Sequence, residues 1–197
     1  MNLTRSAGGF LALLTIFVLS PAPAQHHGSG PAESHSPGAP SPYAGMQQRR
    51  VKALSEQQIG DLRAGRGMGL ALAAELNGYP GPMHVLELAD ALRLSDEQRS
   101  RTRALIEAMK AETIPIGEKL IAEETALDRL FAEQRVTRGT LDETTSRIAA
   151  AQGELRAAHL RYHLAMVEVL SPAQIADYVR LRGYAQPGHH GGGRHTR

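Results

Sequence analysis

The sequence contains no cysteine and no tryptophan. Without cysteine, disulfide bridges, thiolate nucleophiles, cysteine zinc sites and iron–sulfur clusters are excluded, and so is a lipid anchor on a cysteine. Aromatic residues are scarce as well, with three phenylalanines and five tyrosines among 197 residues. Two of the phenylalanines, Phe10 and Phe17, lie in the first 20 residues. The folded core must therefore be mostly aliphatic and rich in alanine, a composition that favours closely packed helices.

An excess of charge of one sign is also missing. The chain has 22 Lys and Arg against 20 Asp and Glu, which gives a formal net charge of +2. Nucleic-acid-binding proteins neutralise phosphates with a much larger positive excess, so we expect no nucleic-acid partner. No glycine-rich phosphate loop, GxSxG or HExxH motif occurs. We therefore expect a binding protein without an organic cofactor, not an enzyme.

Residues 1–24 have the pattern of a secretory signal peptide. Arg5 supplies the positive charge, residues 10–19 (FLALLTIFVL) form an apolar run of ten residues, and residues 22–24 (APA) form a small-x-small cleavage site. A membrane-spanning helix needs about 20 residues, which is longer than this run. We expect export to the periplasm, cleavage after Ala24 and no membrane span in the mature chain. An uncleaved N-terminal anchor is the alternative.

Two segments flank the predicted helical domain, which covers residues 43–184. Residues 25–42 and 185–197 are rich in glycine, proline, serine and histidine. We expect both to be disordered, because they bury too little apolar surface to offset the entropy of ordering. Flexible histidine-rich segments bind metal loosely, and incidental histidines in a solvated tail are the alternative. Six of the nine histidines lie in these segments: His26, His27, His35, His189, His190 and His195.

The start of the mature chain is a candidate metal site in its own right. Cleavage after Ala24 gives an N-terminus that reads Gln25-His26-His27. The free amine, two amide nitrogens and the imidazole of His27 would offer four nitrogens in one plane, a geometry that suits Cu(II) or Ni(II). Cyclisation of Gln25 to pyroglutamate would remove the amine and with it the site.

Three helix starts share the pattern Leu-Ser-x-x-Gln. In this pattern the serine hydroxyl accepts an N–H from the first helical turn, and the glutamine side chain reaches back to the serine N–H. Such a capping box contributes about 1 kcal/mol for each cap. The serine and glutamine residues of the three boxes are Ser55 and Gln58, Ser95 and Gln98, and Ser171 and Gln174.

The spacing of apolar residues predicts an all-α fold with four to five helices built on an antiparallel hairpin. Pro115 and Gly117 should bend the first long helix, and Met68 is expected to pack in the core. So long a hairpin leaves apolar surface uncovered, which predicts a homodimer or a concave partner surface. The predicted helices span 56–77, 83–93, 96–134, 141–169 and 172–183. The apolar stripe of the first long helix comprises Leu105, Met109, Ile116, Leu120, Leu127, Leu130 and Phe131.

At its capping boxes the chain resembles the LTxxQ family of periplasmic proteins, which includes the chaperones Spy and CpxP and the metal-responsive proteins ZraP and CnrX. The resemblance rests on LSDEQ at 94–98 and on LSPAQ at 170–174 followed by LRGY at 181–184, and it covers residues 54–184. It implies a four-helix hairpin, usually in a cradle-like dimer. It also implies either ATP-independent holding of unfolded client proteins or sensing of envelope stress and transition metals, the latter with a membrane-bound sensor partner.

Candidate metal ligands cluster on the second long helix. His159, His163 and Met166 are four and three residues apart, so they share one helix face. Imidazoles suit Ni, Co, Zn or Cu, and a thioether favours Cu. His84 and Glu87 form a second facing pair, which could complete the site if their helix docks against residues 159–166. A polar helix face with a partly buried Met166 is the alternative.

Three functions follow from these observations. The first is a periplasmic stress-response protein that binds transition-metal ions, of the sensor or resistance type. The second is an ATP-independent chaperone of the Spy and CpxP type. The third is a structural helical adaptor whose histidines are incidental.

Overall fold

The structure is a computed structural model that describes residues 41–185. The chain divides into two units, Met1–Ser41 and Pro42–Arg197, and all described residues except Ser41 belong to the second. The predicted signal peptide, most of the 25–42 linker and all but the first residue of the 185–197 tail lie outside the described residues. The candidate ligands His26 and His27 lie outside them too.

Regular secondary structure in residues 41–185 is helical, which confirms the predicted all-α class. A short 3-10 turn at Met46–Gln48 precedes the α-helices, and Val51 and Leu54 form an isolated bridge. None of the helices in this part of the chain carries an apolar stretch long enough to cross a lipid bilayer. The helices are α1 (Glu56–Arg63), α2 (Leu72–Glu75), α3 (Pro82–Glu87), α4 (Asp96–Ala132), α5 (Arg138–Val167) and α6 (Pro172–Leu181).

Capping boxes begin four of these helices. The three predicted from the Leu-Ser-x-x-Gln pattern are present, each with both of its hydrogen bonds, at the starts of α1, α4 and α6. A fourth joins Thr137 and Thr140 at the start of α5. Because a threonine pair does not match the pattern, the prediction placed the start of α5 three residues too late, at residue 141 instead of Arg138.

The predicted helix over residues 56–77 is wrong, because the chain forms two short helices there. Between α1 and α2, Gly65, Met68 and Gly69 have φ angles of +65°, +43° and +80°, which a right-handed helix does not allow. Met68 is exposed on the connecting loop and not packed in the core as expected. The loop, residues 64–71, is held against α4, since a Cβ added to Gly65 would lie 2.8 Å from Thr113 Oγ1.

The long helices α4 and α5 form the predicted hairpin, and the shorter helices cover its sides. One core cluster lies where α1 packs on the hairpin, and a second lies where α3 and α6 meet it. Phe131, expected in the core stripe, is exposed in the last turn of α4. The first cluster comprises Val51, Ile59, Leu62, Leu120, Ile121, Ile148, Ala151 and Leu155, and the second Val85, Ala89, Leu92, Leu94, Met166, Val169, Leu170 and Tyr178.

Candidate functional site

A cavity of about 480 Å³ lies between α3 and α5, with α4 and the loop of residues 64–71 forming the other walls. Four of the predicted ligands line this cavity: His84 and Glu87 from α3, and His159 and His163 from α5. The two residues of α3 therefore face the same space as the two histidines of α5, which is the condition for a shared site. Three imidazoles from two helices thus line one cavity.

His163 is held in a defined tautomer. Its Nδ1 lies 2.7 Å from the carbonyl oxygen of Tyr79 and 3.8 Å from Oε2 of Glu75. A carbonyl oxygen can only accept, so Nδ1 carries the proton and donates it. The other ring nitrogen, Nε2, therefore keeps its lone pair in the neutral ring.

His84 is arranged in the same way. Its Nδ1 lies 3.1 Å from Oε1 of Glu75, and an ionised carboxylate accepts only, so this ring nitrogen also donates. Histidines that bind metals usually donate their second ring N–H to a carboxylate or a backbone carbonyl. In both His84 and His163, Nδ1 is held in this way, and Nε2 keeps the lone pair with which a histidine binds metal.

His159 has no such support. The side chain is 3% exposed, and its Nε2 is buried without a hydrogen-bond partner among the described residues. Burial lowers the pKa of His159, and the neighbouring charge of His163 lowers it further, while Glu112 opposes both. The net effect favours the neutral ring. A buried nitrogen without a partner costs about 1–3 kcal/mol, and a bound metal ion is one group that would satisfy it.

Glu75 connects the two supported histidines to the C-terminal part of the domain. It is 5% exposed and lies at the end of the four-residue helix α2. Oε1 accepts hydrogen bonds from the hydroxyls of Tyr178, at short range, and of Tyr184, at 3.2 Å. Oε2 accepts from the backbone N–H of Gly81 at 3.2 Å.

The pKa of Glu75 reflects these contacts. Burial acts to raise it, but the hydrogen bond from Tyr178 and the charge and hydrogen bond of His84 hold it below its ordinary value. The pKa of Tyr178 is raised, by burial first and by Glu75 second. Glu75 belongs to none of the motifs found in the sequence. Its only sequence signal was a single acid within the otherwise apolar stretch ALAAEL at 71–76.

The other predicted ligands are placed differently. Met166 is fully buried in the second core cluster, with its sulfur 3.9 Å from the Thr102 hydroxyl, and it does not line the cavity. Two other methionines, Met83 and Met109, line the cavity instead. Within residues 41–185, no group of three or more His, Cys, Asp or Glu side chains is assembled closely enough to hold a metal ion. The donors share one cavity but are not gathered around one point.

Comparison with known proteins gives one match. A family model described as heavy-metal resistance matches residues 67–177. The matched segment includes Glu75 and all three histidines of the cavity. Searches of curated proteins and of solved structures gave no match.

Proposed function

Because this chain belongs to the heavy-metal resistance family, whose model matches more than half of the sequence, we propose that it binds transition-metal ions in the cavity between α3 and α5. In this proposal it is an exported stress-response protein of the periplasm, with a binding role and no catalytic one. The family membership agrees with the LTxxQ resemblance expected from the capping boxes.

The observation that carries the proposal is the buried Nε2 of His159, which lacks a hydrogen-bond partner among the described residues. Native proteins seldom leave a buried polar atom unsatisfied, and an exception calls for an explanation such as a bound ion. His159 shares its cavity with His84 and His163. In each of these two rings Nδ1 donates a hydrogen bond, and the lone pair of Nε2 is left to bind a metal ion.

The roles of the residues follow from their hydrogen bonds. His84, His159 and His163 would supply neutral imidazoles. Glu75 and the carbonyl of Tyr79 would fix the ring orientations and raise the basicity of the donor atoms. Glu87, one helical turn after His84, would supply a carboxylate at the edge of the same cavity.

Metal titration of the chain that begins at Gln25 tests this proposal. The histidines of the two flanking segments would bind metal themselves, so all six are first replaced by glutamine. The resulting protein, which has no histidine outside residues 43–184, is called the tail-histidine variant. The replaced residues are His26, His27, His35, His189, His190 and His195. We expect that variant to bind one ion with micromolar or tighter affinity. At a hundredfold excess over Kd, native-state binding adds about 2.7 kcal/mol to the free energy of unfolding, and the melting temperature rises by roughly 5–10 °C.

The matched substitutions are His159→Ala and His163→Ala in the tail-histidine variant. Both should abolish the metal-dependent rise in melting temperature while leaving the metal-free protein folded, as judged by circular dichroism. If the tail-histidine variant binds no metal, the cavity is not a metal site and the flanking histidines alone account for any binding by the full chain.

A second candidate function, ATP-independent holding of unfolded proteins, is favoured by another feature. A cavity of about 720 Å³ lies between residues 50–52, α1 and the C-terminal part of α4. Apolar and basic side chains line it together with one carboxylate, that of Asp128, and this excess of basic groups suits unfolded segments that carry both apolar and acidic residues. The side chains include Val51, Ile121 and Phe131 together with Arg50, Lys52, Arg63 and Arg129.

Aggregation of an unrelated unfolded client in the presence of a chelator tests this second function. A holdase should suppress aggregation without metal and without ATP, and Phe131→Ser should weaken the suppression. Failure of both the metal titration and the aggregation assay would leave a structural adaptor. The homodimer and the membrane-bound sensor partner expected from the sequence remain proposals, and analytical ultracentrifugation tests the first of them.

A further inference from the structure

The cavity between α3 and α5 contains sulfur donors that the sequence did not assign to it. Met83 projects from α3, on the turn that also carries His84, and Met109 projects from α4. Met109 is almost fully buried, whereas Met83 is 45% exposed at the mouth. Besides the three imidazoles, the cavity therefore offers two thioethers and the single carboxylate of Glu87.

We propose that this cavity selects a soft monovalent ion, Cu(I) with Ag(I) as its chemical analogue, over Zn(II), Ni(II) and Co(II). The inference rests on the proposed metal-binding function and specifies its ligand class. Thioether sulfur is a soft donor that favours Cu(I), whereas carboxylate and water favour harder divalent ions. Methionine sulfur and neutral imidazole are both uncharged ligands.

The donor types agree with this reasoning. Stable divalent sites in proteins gather several histidine or carboxylate ligands around one point. No group of three such side chains is assembled closely enough in residues 41–185. Soft ligands that would suit Cu(I) line the same cavity, namely the imidazoles and the sulfurs of Met83 and Met109.

The test uses Ag(I), which undergoes no redox change, in competition with Zn(II) on the tail-histidine variant. We expect Ag(I) to bind at least tenfold more tightly than Zn(II). In Met83→Leu/Met109→Leu, Ag(I) affinity should fall at least tenfold, while Zn(II) affinity stays within threefold. Met166→Leu is the matched control, because Met166 is buried in the core outside the cavity, and it should leave Ag(I) affinity unchanged.

Methionine methyl NMR provides a readout that does not depend on affinity. On addition of one equivalent of Ag(I), the ε-methyl signals of Met83 and Met109 should shift, and that of Met166 should not. Tighter binding of Zn(II), or silent Met83 and Met109 methyls in the presence of bound Ag(I), would overturn the inference but leave metal binding intact. Absence of binding by either ion would instead remove the proposed function itself.

Discussion

The side-chain amides of Gln98 and Gln174 hydrogen-bond to each other reciprocally, although the residues are 76 positions apart, with N···O distances of 2.9 and 3.0 Å. Each Oε1 also accepts the N–H of its own capping serine. Each Nε2 also donates to a backbone carbonyl, that of Val169 for Gln98 and that of Leu92 for Gln174. Both amides therefore use two donors and two acceptor sites, and they join the starts of α4 and α6.

Replacing Gln98 with glutamate should destabilise the protein. The substitution keeps the shape and the capping acceptor, but it removes both N–H donors and turns a carboxylate oxygen towards Oε1 of Gln174 and the Val169 carbonyl. A buried acceptor without a donor costs about 1–3 kcal/mol, and these groups are half-buried, so we expect a loss of about 1–2 kcal/mol in the free energy of unfolding. Urea unfolding monitored by circular dichroism measures it.

Gln58→Glu is the matched control, since Gln58 has the same capping role in α1 but makes no second contact of this kind among the described residues. Glutamate serves a capping box as well as glutamine does, so this variant should change stability by less than about 0.5 kcal/mol. Equal losses for the two variants would show that the amide pair adds nothing to capping.

The capping boxes were predictable because they depend on residues three positions apart. Their pairing was not, since nothing local to Gln98 specifies that Gln174 will face it across the hairpin. This difference between local patterns and tertiary contacts also explains why the helix predicted over residues 56–77 is broken. Its apolar spacing is helical, but Gly65 and Gly69 adopt positive φ angles, and the packing of the loop against α4 decides that conformation.

Gly117→Ala should be destabilising because α1 and α4 are in backbone contact there. A Cβ at this position would lie 2.7 Å from the carbonyl oxygen of Leu62, and a backbone atom cannot move aside as a side chain can. Overpacking of this kind costs about 1–3 kcal/mol. Thermal unfolding should therefore show a clear drop in melting temperature.

Gly153→Ala, in the neighbouring helix α5, should stabilise the protein instead. No atom lies within 4 Å of a Cβ added at Gly153, and alanine is favoured over glycine in a helix by about 0.5–1 kcal/mol. This variant should be more stable than the wild type. If Gly117→Ala were as stable as Gly153→Ala, the close approach of α1 and α4 would be contradicted.

The candidate site was only partly predictable, for a physical reason. Helical spacing placed His159 and His163 on one face, and both line the cavity. Met166 lies on that face as well, but the docking of α3 and α6 buries it in the core. Glu75, Met83 and Met109 reach the site through tertiary packing, which a one-dimensional pattern does not record.

Glu75→Gln should destabilise the protein most at neutral pH. The substitution removes the negative charge that accepts hydrogen bonds from Tyr178, Tyr184 and His84. We expect a loss of about 2–3 kcal/mol at pH 7. Because the folded-state pKa of Glu75 is lowered, its stabilisation is fully present above the unfolded-state value of about 4.3 and disappears as the pH falls through the folded-state value.

The difference in stability between wild type and Glu75→Gln should therefore shrink below about pH 4.3. Urea unfolding of both proteins at pH 7, 5, 4 and 3.5, in the presence of a metal chelator, measures this difference in the free energy of unfolding. Glu118→Gln is the control, since Glu118 forms an exposed ion pair with Arg63 and such pairs contribute less than about 1 kcal/mol. A difference that stayed constant down to pH 3.5 would mean that the charge of Glu75 is not what its partners recognise.

Gly81→Ala should reduce metal affinity more than stability. A Cβ at Gly81 would lie 2.9 Å from Cε1 and 3.1 Å from Nε2 of His163, the proposed donor atom. The His163 ring must then turn away from residue 81, although its Nδ1 is hydrogen-bonded to the Tyr79 carbonyl. Either Nε2 moves away from the metal position or the hydrogen bond to Tyr79 is lost. We expect at least a tenfold loss of affinity for the preferred ion, measured by calorimetry on the tail-histidine variant. Gly153→Ala, which does not line this cavity, should bind metal as tightly as the tail-histidine variant itself. Unchanged affinity in Gly81→Ala would exclude His163 Nε2 as a ligand.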